Sequence, residues 1–132
     1  MLMTNPEIVI SSPEKHQLTR LAEAALDSTP EIADALLIEL ERAETVEASR
    51  LPENVVTMNS AVFLETEEGK RRWIKLVFPG EADIDSGRIS ILTPIGAALI
   101  GLSIGQSMEW RARDGRSHQL KVLDVRPPGS AK

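Results

Sequence analysis

The chain has 132 residues, enough for one ordinary domain or a small domain with an appendage, and 42% of them are apolar, enough for a packed core. There is no cysteine, which excludes a disulfide framework, a thiolate metal site and a cysteine nucleophile; aromatics are 3% with no tyrosine, which argues against a pocket walled by aromatic rings. The net charge of −5 is uneven: residues 1–60 hold 11 acidic against 4 basic side chains, net −7, while residues 61–132 hold 9 against 11, net +2.

The first residues are polar apart from Ile8, Val9 and Ile10, a strand-like lead-in. Ser12-Pro13-Glu14 reads as a helix start, with a capping hydroxyl, a proline at the first position and an acid in the first turn. Leu18, Leu21, Ala22, Ala25 and Leu26 then recur at helical spacing. Asp27-Ser28 breaks the pattern and Thr29-Pro30-Glu31 repeats the start signal. Ile32, Ala33, Leu36, Leu37, Leu40 and Ala43 form a second apolar stripe. So short a connection forces the two helices antiparallel, and residues 13–46 read as a helical hairpin. At about 1.5 Å per residue it is an arm of roughly 20–25 Å, expected to project from the rest of the chain.

Residues 46–54 read as a linker, and beyond it the period changes to two. Strands are expected at Val55–Met58, Ala61–Leu64, Arg72–Phe78, Ser107–Ala112 and His118–Val125, with hairpin turns at Glu67–Lys70 and Asp114-Gly115. Leu123 breaks the alternation of the last strand. Between the third and fourth lies Ile89–Gly105: a β-branched run, Thr93 as cap, Pro94 at the first helical position, one or two turns through Ile100, and Gly101 where a helix end takes a left-handed residue. The expected class is α+β: a short, coiled-coil-like hairpin over residues 1–51 and a mostly antiparallel sheet with one short helix over residues 52–132.

The second part resembles the C-terminal domain of Gre-type transcript-cleavage factors. The matching signals are Glu81-Ala82-Asp83, Gly87-Arg88-Ile89-Ser90, Thr93-Pro94-Ile95-Gly96-Ala97-Ala98-Leu99-Ile100-Gly101 and Gly105, in that order. Ile32–Leu36, Glu39–Ala43 and Pro52–Ser60 narrow the likeness to the Gre-related Rnk family, named for regulation of nucleoside diphosphate kinase. The resemblance implies an FKBP-like fold for the second part. It also implies RNA polymerase as partner, with the sheet body at the rim of the secondary channel and the arm pointing inward. Gre arms are longer and carry acidic tips that help to hold a catalytic metal; this arm is too short for that role, so no transcript cleavage, cofactor or metal is expected.

The candidate partner-binding residues are Asp27, Glu31 and Asp34 at the arm tip and Arg111, Arg113 and Arg116 about the last hairpin turn. Each has an ordinary alternative: Glu31 favours a helix N-terminus, Asp is common in turns, and a cationic hairpin is soluble. No aromatic platform is interleaved with the arginines, so a protein contact is favoured over RNA. The acidic first part would repel phosphates, and no direct sequence-specific nucleic-acid contact is expected. Glu81, Asp83 and Asp85 lack a full set of cation ligands and read as a solvated loop. No serine elbow, Walker loop or H-E-x-x-H spacing is present, and His16 and His118 take no role. No apolar run approaches the roughly 20 residues of a membrane span, and no basic-then-apolar leader opens the chain, so a cytoplasmic location is expected. The rival readings are an FKBP-like prolyl isomerase, short of aromatics for its pocket, and a passive dimerising module.

Overall fold

The computed structural model describes residues 6–112 and 114–128. The lead-in is a strand, β1 (Val9–Ser11), followed directly by α1 (Ser12–Ala25). The cap falls one residue earlier than Ser12: the Ser11 hydroxyl accepts from the Glu14 N–H, and Ser12 is free to donate to the Val46 carbonyl. After a turn comes α2 (Pro30–Arg42). Thr29 does not cap it; its hydroxyl donates back to the Ala25 carbonyl at 3.3 Å, closing the end of α1 instead. A strand the sequence did not signal, β2 (Glu44–Val46), pairs parallel with β1 and closes the base of the hairpin.

The sheet has the order β5-β4-β3-β7-β6, from β3 (Ala61–Thr66), β4 (Arg71–Val77), β5 (Arg88–Ser90), β6 (Ser107–Arg111) and β7 (Ser117–Arg126). All pairs are antiparallel except β4–β5. Leu123, the break in alternation, is the extra residue of a β-bulge: Phe63 pairs with Asp124 and Leu64 with Val122. The bulge keeps both Val122 and Val125 inward, so the hydrophobic face stays intact across an irregular spacing. The expected strand at 55–58 does not form. Val55 makes one bridge to Ser103, and the chain then turns at Asn59, whose φ of 67° is left-handed. That turn is held by Ser60, which accepts from the Thr57 N–H at 2.9 Å and meets the Thr57 hydroxyl at 2.8 Å.

The short helix α3 (Pro94–Leu99) starts as its sequence predicts, with the Thr93 hydroxyl accepting from the Gly96 N–H at 3.1 Å. It lies under the sheet, and Ala97, Ala98 and Leu99 are buried in the cluster that contains Val62, Leu64, Leu76 and Val122. The same cluster takes in Leu18 and Ala22 of α1 and Leu36 and Leu40 of α2. The hairpin therefore does not stand clear of the sheet body: α2 packs against α3. The apolar stripe of α2 is too extensive to leave in water, and alanines on α3 let the helices approach closely.

Two glycines make this packing possible. A Cβ on Gly96 would overlap the Ser90 carbonyl oxygen. Gly101 has φ +82°, and a Cβ there would lie 2.9 Å from Ile8 Cβ. Gly105 has φ +93° but open space around it. Gly101→Ala should therefore lose more stability than Gly105→Ala, which carries only the conformational cost of about 1–2 kcal/mol; Gly96→Ala should lose about 1–3 kcal/mol by overpacking. Urea midpoints at constant m-value check the order, and equal losses at 101 and 105 would contradict it.

Candidate partner-binding surface

Packing α2 over α3 leaves a groove of about 640 Å³ between the hairpin and β6. Thr29, Glu31, Ile32 and Glu39 line the α2 side, and Pro94 and Ala98 its floor. The far wall is Met108 to Ala112, five consecutive residues. Side chains of a strand alternate between faces, so a consecutive run means that the free edge of β6 borders the groove. β6 is the last strand of the sheet, which leaves that edge unpaired among the described residues.

Two of the sequence candidates line this groove. Glu31, in the first turn of α2, and Arg111, at the end of β6, line opposite walls. Asp27 lies in the exposed turn between the helices, and Asp34 is exposed on α2 away from the groove. Arg116 is exposed in the β6–β7 turn, 4.0 Å from Asp114, which also accepts from the Arg116 backbone N–H. Arg113 lies outside the described residues. Trp110 and Met108 were not candidates, because only the seating of α2 turns their strand into the wall of a cleft. Trp110 stacks on His118 with centroids 5.0 Å apart, and His118 Nδ1 is 3.4 Å from Glu67 Oε2, so the histidine has a surface cross-strand role.

The aromatic side chains do not converge. Phe63 and Trp73 stack on the outer face of the sheet, and Trp110 is the single aromatic in the groove. Among the described residues no group of three or more His, Asp or Glu side chains is placed to hold a metal ion. Asp83 is a turn organiser: it accepts from the Ser86 hydroxyl at 2.8 Å and faces Arg88 at 3.4 Å, which hold its carboxyl below its ordinary value. No helix among the described residues is long and apolar enough to cross a membrane.

With that geometry in place, the relatives are informative. The chain matches the GreA/GreB transcription elongation factor C-terminal family over residues 51–127 and the Rnk N-terminus family over residues 6–46. The regulator of nucleoside diphosphate kinase of Escherichia coli K12 is 36% identical over 124 residues, 93% of this chain and 91% of that one. The chain belongs to the Rnk family of GreA/GreB-related regulators. Transcription elongation factor GreA of Beijerinckia indica is 40% identical over 87 residues, which are 65% of this chain and 55% of that protein. The solved GreA/GreB elongation factor of Nitrosomonas europaea superposes with a TM-score of 0.72 at 37% identity, covering 92% of this chain and 99% of that one. The relatives are named as regulators or transcription factors, and this chain is a Gre-related regulator.

One carboxylate ties the hairpin to the sheet module. Glu14, in the first turn of α1, accepts from the Met58 N–H at 3.3 Å, while its second oxygen is buried without a partner. Burial raises its pKa above the ordinary 4.5, against the opposing effect of the Met58 hydrogen bond. A raised carboxyl favours the folded state most when protonated; that contribution is lost as pH climbs through 4.5 to the folded value and is constant above it. Glu14→Gln has no such charge to bury. The stability of the variant relative to wild type should therefore rise between about pH 4 and pH 7, measured by thermal unfolding across that range. A pH-independent difference would contradict the assignment.

Proposed function

We propose that this protein binds RNA polymerase at the entrance of the secondary channel, competes there with longer-armed Gre-type factors, and does not support transcript cleavage. Residues 52–132 act as the docking module and residues 1–51 as a short arm. The carrying observation is the arm on its Gre-type body: helices of 14 and 13 residues, about 20 Å at 1.5 Å per residue, with the tip seated beside β6. A hairpin of that length, packed against the body and not extended from it, can block an entrance but does not reach a distant active centre. The turn joining its helices carries a single carboxylate, Asp27, too few ligands to hold a catalytic cation.

The contact residues in this reading are Asp27, Glu31 and Asp34 on the hairpin, Arg111 at the end of β6, Arg116 in the turn after it, and Arg113 from the sequence. Acidic groups of the hairpin and basic groups of the β6 end orient the module by electrostatic complementarity. The protein works in the cytoplasm, with its partner, and any effect on nucleoside diphosphate kinase lies downstream of transcription. The scattered aromatics speak against a prolyl isomerase, and turnover of a proline peptide well above background would favour that enzyme instead.

Purified core polymerase should retain the protein at low salt and release it to an excess of a Gre factor. Retention should weaken about tenfold or more between about 50 and 200 mM salt, as exposed charge contacts are screened. Asp27→Lys with Asp34→Lys should weaken capture further at low salt. Absence of capture at low salt would remove the proposal.

A further inference from the structure

The outer face of the sheet carries a second surface, independent of the groove and of the polymerase reading. The inward residues of β3 and β4, Val62, Leu64, Ile74 and Leu76, are buried beneath α3 and the hairpin. The outward residues face solvent. Phe63 and Trp73 are cross-strand partners there, stacked with centroids 5.1 Å apart, and Trp73 is 41% exposed. The Arg126 guanidinium lies over the Trp73 ring at 4.7 Å, a cation–π contact. Ring and guanidinium form a layered planar stack drawn from three strands.

Cations frame that stack. Ala61 pairs with Lys75 on one side and Arg126 on the other, so both flank the Phe63–Trp73 row. At the other end Glu65 pairs with Arg71 and Lys121. Glu65 is paired with Arg71 at 2.8 Å; Asp124, beside Phe63, accepts from the Val125 N–H and keeps its negative charge on this face. Lys75, Lys121 and Arg126 are exposed and make no ion pair among the described residues. A chain of net charge −5 thus places three cations without an ion-pair partner around one exposed aromatic stack, against one carboxylate on that face, Asp124, that also has none among the described residues. The two ends are four residues apart along β3, about 13 Å at 3.3 Å per residue.

We propose that this face binds single-stranded nucleic acid without sequence specificity. A base stacks on the Trp73–Arg126 layer, and Lys75, Lys121 and Arg126 neutralise the backbone on either side. The complementarity of charge and the planar platform select this ligand over a protein. A protein interface needs an apolar core, and the other exposed large apolar side chains, Leu26, Ile38, Ile84 and Ile104, all lie outside the strands of this sheet.

The test is fluorescence anisotropy of the full chain with labelled oligouridine and oligothymidine of about 12 nucleotides, a length within the usual site range. Binding of both probes is expected, because no residue on the face reads a 2′-hydroxyl. Three phosphate contacts give a salt slope near −2, about 20-fold weaker binding at 200 than at 50 mM salt. Trp73→Ala should weaken binding about tenfold through lost stacking. Lys75→Glu with Lys121→Glu, exposed changes that leave the core intact, should abolish it and remove the salt slope. Arg111→Glu with Arg116→Glu, outside the platform, should leave it nearly unchanged. No binding at about 50 mM salt would overturn the proposal. So would equal losses in the platform and turn variants, which would mean a diffuse attraction. Face variants that weaken capture of polymerase but not of the oligonucleotides would assign the surface to a protein and overturn it as well.

Discussion

Three segments far apart in the chain meet at Gly101, and their meeting sets how the hairpin sits on the sheet. The Val9 N–H donates to the Gly101 carbonyl at 3.1 Å, and the Gly101 N–H donates to the Val56 carbonyl at 3.0 Å. Val56 in turn donates to Leu102 at 2.8 Å. The strand entering α1, the linker leaving the hairpin and the turn leaving α3 are thereby joined through backbone groups. The contact works because Gly101 has no side chain: Ile8 occupies the space a Cβ would need, in a conformation L-residues disfavour. Entry and exit of the hairpin are fixed at one point, and β1 and β2 pair just beyond it.

The rest of the hairpin's placement follows. With its base held, α2 lays Leu36 and Leu40 into the same core as the sheet, over the small face of α3. The tip comes to rest across from the free edge of β6. The groove lies there between α2 residues that include Ile32 and Ala35 and the β6 wall that includes Trp110. The hairpin is thus part of the body's wall, and its acidic residues act from that wall. Glu14 adds a local constraint of opposite sign: it links α1 to the turn at Met58 while holding a carboxyl where it is poorly solvated.

Charge is partitioned by this arrangement. Exposed acidic side chains of the first part include Glu23, Asp27, Glu31, Asp34 and Glu41 on the hairpin, and exposed basic ones of the second part include Lys75, Lys121 and Arg126 on the outer sheet face. The net charge therefore averages over regions of different local charge. Partners of opposite sign can be met at separate surfaces without competing for the same residues.

The local features were legible from residue pattern alone. Thr93, Pro94 and the alanines behind them dictate α3, because capping and propensity act within a few residues. The alternation in 61–66 and 71–77 dictates two strands, and the break at Leu123 marks the bulge. The apolar stripes of α1 and α2 dictate a hairpin. The family could be read as well, since its motifs are contiguous. Tertiary structure alone decided where the hairpin lies, that Thr29 turns back to α1, that Val55 makes one bridge to Ser103 in place of the expected strand, and that Glu31 and Arg111 border one groove. It alone brought Phe63, Trp73 and Arg126 into one stack. Each of these depends on contacts between residues tens of positions apart, and an apolar stripe states that a face must be buried without stating against what.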